Sequence, residues 1–195
     1  MATDSTNILE GTCKLYIGAA GNSATPDVLP ADTIAFGAAW GGTWRDVGYT
    51  TDAGVSMSLA QRFTDVRTAQ DRNVTLHLRA GSDDKIMCAL LEATLLNLRD
   101  ATGRGAITTV AAAAGVPGHS DLALTDDALI RYVAVGFEGV APPNTKGNPR
   151  RVLFPVALSM AAVVIAQRVG APTSIPCEFT RIGSYNPVIR DVLTI

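Results

Sequence analysis

The sequence predicts a mainly β fold of the α+β type, a β-sandwich or barrel with one flanking amphipathic helix. Three observations predict it. Long stretches alternate strictly between apolar and polar residues, as Val55, Met57 and Leu59 do against Ser56, Ser58 and Ala60, the period of a strand with two different faces. Gly- and Pro-rich breaks recur at the spacing of a sandwich or small barrel, separating about seven strands. A single segment carries helical spacing, so strands do not alternate with helices and a parallel α/β sheet is excluded.

The elements follow in order. Met1–Glu10 is polar and is expected to be a loose N-terminal arm. Thr12–Gly18 reads as a short strand with Cys13, Leu15 and Ile17 on one face, and Ala19–Thr33 as a surface loop rich in Gly, Ser, Pro and Asp. Trp44–Thr50 leads into a long hairpin whose strands cover Gly54–Val66 and Asn73–Arg79 around a turn near Thr68–Asn73. In its second strand Val74, Leu76 and Leu78 alternate with Thr75, His77 and Arg79. Trp40 and Trp44 flank a Gly-Gly pair and are expected as a buried anchor under the hairpin.

Gly81-Ser82-Asp83-Asp84 reads as a helix start, with Ser82 as N-cap and both aspartates at the positive end of the helix dipole. Met87, Leu90, Leu91, Thr94, Leu95 and Leu98 then form one helical stripe that Gly103 and Gly105 end. Val110–Ala114 fits a strand or a helical turn, and Gly115–Gly118 is a turn. Leu129–Val140 is apolar on both faces and is expected inside a sheet covered on two sides. Ala141–Pro149 is a loop that cannot be strand. Val152–Ile165 returns as its hairpin partner, Ser174–Arg181 alternates Ile175, Cys177 and Phe179 against Pro176, Glu178 and Thr180, and Val188–Ile195 is a last strand or an extended C-terminal arm. The whole, residues 1–195, is read as a single domain.

Composition narrows the function. With 195 residues, 47% hydrophobic and 17% charged, the chain can bury a sizeable core and carries less charge than a usual soluble monomer, as either a protein with covered interfaces or a tightly packed β-fold would. A net charge of −2 lends no support to sequence-specific nucleic-acid binding. Cys13, Cys88 and Cys177 lack metal-ligand spacing and read as buried or partly buried thiols of a reducing compartment. No secretory signal is visible, and the apolar run Val152–Ala166, about fifteen residues broken by Pro155, is too short to span a bilayer, so no membrane association is expected.

No chemistry-bearing motif survives inspection. The two histidines, His77 on a strand's polar face and His119 in a turn, are not accompanied by a nucleophile elbow, H-E-x-x-H, C-x-x-C or P-loop motif. Asp83–Asp84 is read as helix N-terminal charge, Asp126–Asp127 as a solvated loop, and Lys146, Arg150 and Arg151 as a loop cluster. No enzyme activity, catalytic residue, metal or cofactor is expected.

The ordered motifs resemble the major tail tube proteins of long-tailed, siphovirus-type bacteriophages. The resemblance is carried by Trp44-x-x-Val47-Gly48-x-Thr50-x-x-x-Gly54-Val55, by Thr64–Gln70, by Leu91–Leu98, by Phe137-Glu138-Gly139, by Leu153–Ser159 and by Ile175–Phe179. It covers most of the chain, departing at Ala69, where Asp is frequent, and at Cys177, where Val is. It implies a structural virion protein that self-assembles into stacked hexameric rings, the tube through which DNA is ejected, put together in the bacterial host cytoplasm. Implied partners are further copies of the chain, tape-measure protein and transiting DNA in the lumen, and tail terminator and distal tail proteins at the ends. The expected lumen-facing set is Ser56, Ser58, Arg62, Thr64, Thr75, His77 and Arg79. Val55, Met57, Leu59, Val74, Leu76 and Leu78 would pack under the helix residues Met87, Leu91, Leu95 and Leu98. The loops Ala19–Ala31 and Pro142–Arg150, with the termini, would mediate stacking. Alternatives are a ring-forming tail terminator or head–tail joining protein, and a β-sandwich ligand-binding module.

Overall fold

The alternating segments form strands that pair only antiparallel in the computed structural model, which describes residues 13–20, 29–67, 73, 76–125, 130–140, 149–160, 162–165, 170, 172–183 and 185–192. In chain order they are β1 (Cys13–Ala19), β2 (Arg45–Asp46), β3 (Thr50–Val66), β4 (Leu76–Leu90), the helix α1 (Leu95–Thr102), β5 (Ala106–Val110), β6 (His119–Ala123), β7 (Val133–Val140), β8 (Pro149–Ser159), β9 (Ile175–Arg181) and β10 (Val188–Asp191). The main sheet runs β2-β1-β7-β8-β9-β4-β3, with β10 also on β8, and β5–β6 form a separate hairpin. One edge of β8 serves two partners end to end, β10 along Arg150–Leu153 and β9 along Ala157–Ser159. The fold is therefore mainly β, with one helix among the described residues, as the sequence predicts. The strand path is open from β2 to β3 among the described residues. The root of β3 nonetheless returns to β1, where Gly54 lies against the Cys13 side chain.

Alternation sends each central strand's side chains to two separate apolar layers. Leu15 and Ile17 of β1, Val133 and Val135 of β7, and Val152 and Phe154 of β8 join Ile86, Leu90, Ile175 and Phe179 in the main core. Tyr16, Trp40, Leu153 and Leu29 make a smaller cluster on the opposite face, with Trp44 packed against it. The two-sided cover expected for the seventh strand is thus present. Trp40 stacks on Tyr16 with ring centroids 4.3 Å apart and meets Trp44 edge-on at 5.1 Å. Of the expected tryptophan anchor, Trp40 is buried and Trp44 half-buried, and the pair covers the central strands and not the hairpin. Close approach explains Gly136: a Cβ there would sit 2.5 Å from the Trp40 ring.

The loop before β2 is pinned to this second face by a buried ion pair. Glu138 and Arg151 are cross-strand partners in β7 and β8, both fully buried. Arg151 Nε donates to Glu138 Oε2 at 3.3 Å, Nη1 donates to the Ala31 carbonyl at 3.1 Å, and Nη2 donates to the Ile34 carbonyl. Glu138 Oε1 accepts from the Gly37 amide at 2.7 Å and from the Tyr16 hydroxyl at 3.1 Å. Burial first, then the Glu138 charge, pushes the Tyr16 phenol up, so it stays a donor to that carboxylate. The basic cluster read from the sequence dissolves here. Arg151 is internal, and Arg150 forms a forked pair with Asp191 at 2.5 and 2.8 Å that clips β10 to β8. Lys146 lies outside the described residues.

The largest correction concerns residues 81–90. They are not helix but the second half of β4, and α1 begins only at Leu95, with Thr94 as N-cap accepting from the Asn97 amide at 3.1 Å. Met87 therefore lies on a strand, and Leu91 lies between β4 and the helix. Backbone pairing on both sides overrides the helical stripe: Lys85–Leu90 hydrogen-bonds to β3 on one edge and β9 on the other. Asp83 and Asp84 are cross-strand ion-pair partners of Arg62 and Arg181, not helix-start charges. The predicted terminator is right, since Gly103 caps the helix C-terminus at φ 66°. Pro149, expected in the loop, opens β8 opposite Val140, the position in a strand where a missing N–H is tolerated. Val188–Asp191 is strand, β8 ends at Ser159, and β7 begins at Val133. The N-terminal arm expected at Met1–Glu10, the last three residues of the expected Val188–Ile195 segment, and the greater part of both expected stacking loops lie outside the described residues.

Glu138→Ala leaves the Arg151 guanidinium buried and short of its counter-charge, so urea denaturation is expected to show a loss of about 3–5 kcal/mol. Asp191→Asn is expected to cost no more than about 1 kcal/mol at neutral pH, because its ion pair is partly exposed. The forked bond from Arg150 holds the Asp191 carboxyl below the usual range. Its contribution is therefore present above the unfolded-state value and lost as pH falls through the lower folded value. The gap between wild type and variant should close in titrations below about pH 4.

Candidate functional site

Among the described residues, the β3–β4 hairpin is the one large element that the core does not enclose. Its length comes from uninterrupted alternation: β3 has 17 residues and β4 has 15. Its stem is anchored, with Ile86 and Leu90 fully buried and Val55, Met57 and Cys88 packed against the main core. Pairing with β9 stops at Lys85 opposite Thr180. Beyond that point β3 and β4 pair only with each other, and β3 has no neighbour along its outer edge among the described residues. Ion pairs mark the transition: Lys85 Nζ to Glu178 Oε1 at 2.6 Å, and Arg181 Nε to Asp84 Oδ2 at 2.7 Å, with Arg181 also donating to Ser82 Oγ.

Past the transition, large apolar side chains stand in solvent. Leu59 is 51% exposed, Phe63 57%, Leu76 52% and Leu78 50%. Leu59, Leu76 and Leu78 were expected under the helix, and that expectation fails. The helix packs instead toward β9, and its buried side is polar as much as apolar. Asn97 Oδ1 accepts from Arg45 Nη1 at 2.6 Å while its amide group donates to the Val47 carbonyl at 2.9 Å. Asp100 accepts from Arg45 at 2.8 Å and from Arg131 at 3.0 Å. Leu98 reaches the main core and Leu95 is half-buried. Val74 and Thr75 lie outside the described residues.

A bulge rearranges the hairpin's two faces. Arg62 pairs with Gly81 but Phe63 pairs with Arg79, so Ala80 is an extra residue in β4. Because side chains alternate with period two, one extra residue exchanges the faces of everything beyond it. Ser56, Ser58, Arg62 and Thr64 consequently share their face with Leu76 and Leu78, while His77 and Arg79 share the other with Leu59, Phe63 and Asp65. The contact between His77 Nδ1 and Asp65 Oδ1, at 2.7 Å, fits this assignment. The expected lumen-facing set is therefore split between two faces, and so is the expected apolar set. Each distal face is mixed, with polar side chains between exposed hydrophobics. Phe63 and Arg181 were not singled out from the sequence. Phe63 continues the Val55, Met57, Leu59 alternation, and the glycine after Ala80 is the usual mark of a bulge.

A second feature is a 680 Å³ cleft between β1 and the start of β3, lined by Cys13, Asp46, Tyr49, Thr51, Asp52 and Glu92 among others. Two pairs of its polar groups engage one another, while the buried Thr51 hydroxyl has no hydrogen-bond partner among the described residues. Lys14 Nζ lies 3.3 Å from Asp46 Oδ2, and Glu92 Oε1 accepts from the Tyr49 amide at 3.2 Å. His77 is flanked on its face by the Phe63–Arg79 pair, and His119 lies 3.5 Å from Asp121 on the β5–β6 hairpin. Among the described residues, His, Cys, Asp and Glu side chains do not gather in threes as metal ligands would. No helix of the described residues is long and apolar enough to cross a membrane. Asp126–Asp127 lies outside the described residues.

Compared with protein-family models and with curated proteins, the chain matches none.

Native-state hydrogen exchange should divide β4 at the end of its pairing with β9. Amides of Ile86–Leu90 are expected to exchange much more slowly than those of Leu76–Asp84, which lie in a two-stranded ribbon. Uniform protection along β4 would contradict this division.

Proposed function

We propose that this chain is a structural subunit that assembles with copies of itself into hexameric rings stacked as a phage tail tube, with the β3–β4 hairpin forming the wall of the channel. The observation that carries the reading is the hairpin itself. A two-stranded ribbon of this length is marginal in water, and its open outer edge and exposed Leu59, Phe63, Leu76 and Leu78 invite aggregation unless something covers them. Pairing of β3 with the neighbouring copy's hairpin satisfies the edge, and ring closure leaves no end. The low charge content accords with a surface largely given to contacts between copies.

The family resemblance supplies the tube, the hexamer, the passage of DNA and the tape-measure, terminator and distal-tail partners. The hairpin supplies the physical reason for assembly. The bulge changes the expected lining: Ser56, Ser58, Arg62 and Thr64 form one candidate lumen surface, and His77 and Arg79 belong to the face turned the other way. A tail terminator or head–tail joining protein would use the same edge and stop at one ring.

Sedimentation velocity with negative-stain microscopy tests this reading. The wild-type protein at high concentration is expected to form rings or tubes. Phe63→Asp, at a position 57% exposed on edge strand β3 and on the face opposite the candidate lumen surface, is expected to leave the thermal midpoint of the subunit nearly unchanged and to abolish assembly. Single rings without tubes would favour the terminator or joining role. A monomer at every concentration, in the wild type as in the variant, would overturn the proposal.

A further inference from the structure

The three cysteines stand far apart in sequence, on β1, β4 and β9, and the fold gathers them at the hairpin's root. Cys88 and Cys177 are register partners across the β4–β9 pair, so their side chains leave the sheet on the same face. Cys177 is 4% exposed and belongs to the main core, against which Cys88 packs. Cys177 Sγ donates to the Ile175 carbonyl at 3.5 Å. Cys13 is placed differently. Its register partner is Gly139, and it opens onto the cleft beside Gly54.

Directly opposed residues of antiparallel strands have Cα atoms about 4.5 or 5.5 Å apart, and both separations fall in the range of about 4.4–6.8 Å that a disulfide spans. We propose that Cys88 and Cys177 form an oxidation site, a thiol pair that stays reduced where the chain is made and closes to a cross-strand disulfide in an oxidising medium, stapling the hairpin's root to β9. With hydrogen peroxide as the two-electron oxidant, one thiol becomes a sulfenic acid and releases water. The other sulfur then attacks it, the S–S bond forms, and its proton leaves with the displaced hydroxyl as a second water. The bond closes a loop of about ninety residues and constrains the unfolded chain accordingly. The hydrogen bond to Cys177 and burial both push the Cys88 thiol up, which keeps the thiolate scarce and the reaction slower than at an exposed cysteine. The pair thus persists as thiols through brief oxidant exposure and closes on long exposure. This inference rests on strand register and is independent of the assembly reading.

The test uses the full chain, purified under reductant, exposed to hydrogen peroxide, denatured, blocked with a maleimide and weighed intact, then mapped as non-reduced peptides. The expected product has lost two hydrogens, takes one maleimide instead of three, and yields a peptide linking Cys88 to Cys177. Its thermal midpoint should rise by about 10 °C and fall back on reduction. Cys13→Ser should still form the link. A link from Cys13 to either partner, a disulfide between chains, a sulfinic acid at Cys88, or three maleimides after prolonged oxidation would overturn the proposal. Because the linked peptide is read in the wild type, the result does not depend on whether Cys88→Ser folds.

Discussion

The clamp on β4 is the constraint on which the rest of this structure depends. From Lys85 to Leu90 the strand is hydrogen-bonded on both edges, to β3 and to β9, while Ile86 and Leu90 fill the main core. Burial of two such side chains contributes about 3–6 kcal/mol, which holds the root of a ribbon that could not stand alone. Everything distal to Asp84 is projected by that root. The clamp also explains why segment 81–90 cannot be helix: a helix there would leave the inner edge of β3 and the outer edge of β9 without partners, and main-chain groups so abandoned are costly.

The second organising contact is the buried Glu138–Arg151 pair. Its value here lies less in net energy than in what it joins. Three loop groups, the carbonyls of Ala31 and Ile34 and the amide of Gly37, close on the two side chains, and Trp40 is carried over Tyr16 and Gly136 as a consequence. The loop is thus made into a lid over the sheet's second face, and β7 and β8 are interior on both sides. Exposed large hydrophobics remain on the distal hairpin and on the short β5–β6 hairpin, and others are spread over the surface, among them Tyr49, Ile130, Met160 and Val164.

Much of the fold is legible in the sequence because period-two alternation is a local signal. β1, the strand at Val133–Val140, β9 and the first strand of the hairpin follow from it. The helix misassignment came from a competing period in one segment. Met87, Leu90, Leu91 and Leu98 fit a helical stripe, but Asp84, Ile86, Cys88 and Leu90 also alternate, and only long-range pairing with β9 decides between them. The lumen-facing set failed for a related reason. Each strand's alternation is correct by itself, yet the relation between the two strands depends on the extra residue at Ala80, which periodicity within either strand does not contain. The Arg151 guanidinium looked like a surface charge because its partner Glu138 is on another strand. The candidate assembly surface was half legible: the length of the hairpin was, whereas its bare distal half required knowing that β9 ends opposite Lys85.

The proposed assembly requires that the outer edge of β3 be completed by another copy of the chain. A cryo-electron microscopy reconstruction of the assembled wild-type protein tests it most directly. Rings are expected in which β3 of each subunit is hydrogen-bonded to the hairpin of its neighbour, with Ser56, Ser58, Arg62 and Thr64 on one surface of the resulting wall. An assembly in which the outer edge of β3 remains solvent-exposed, its copies held together elsewhere, would contradict it.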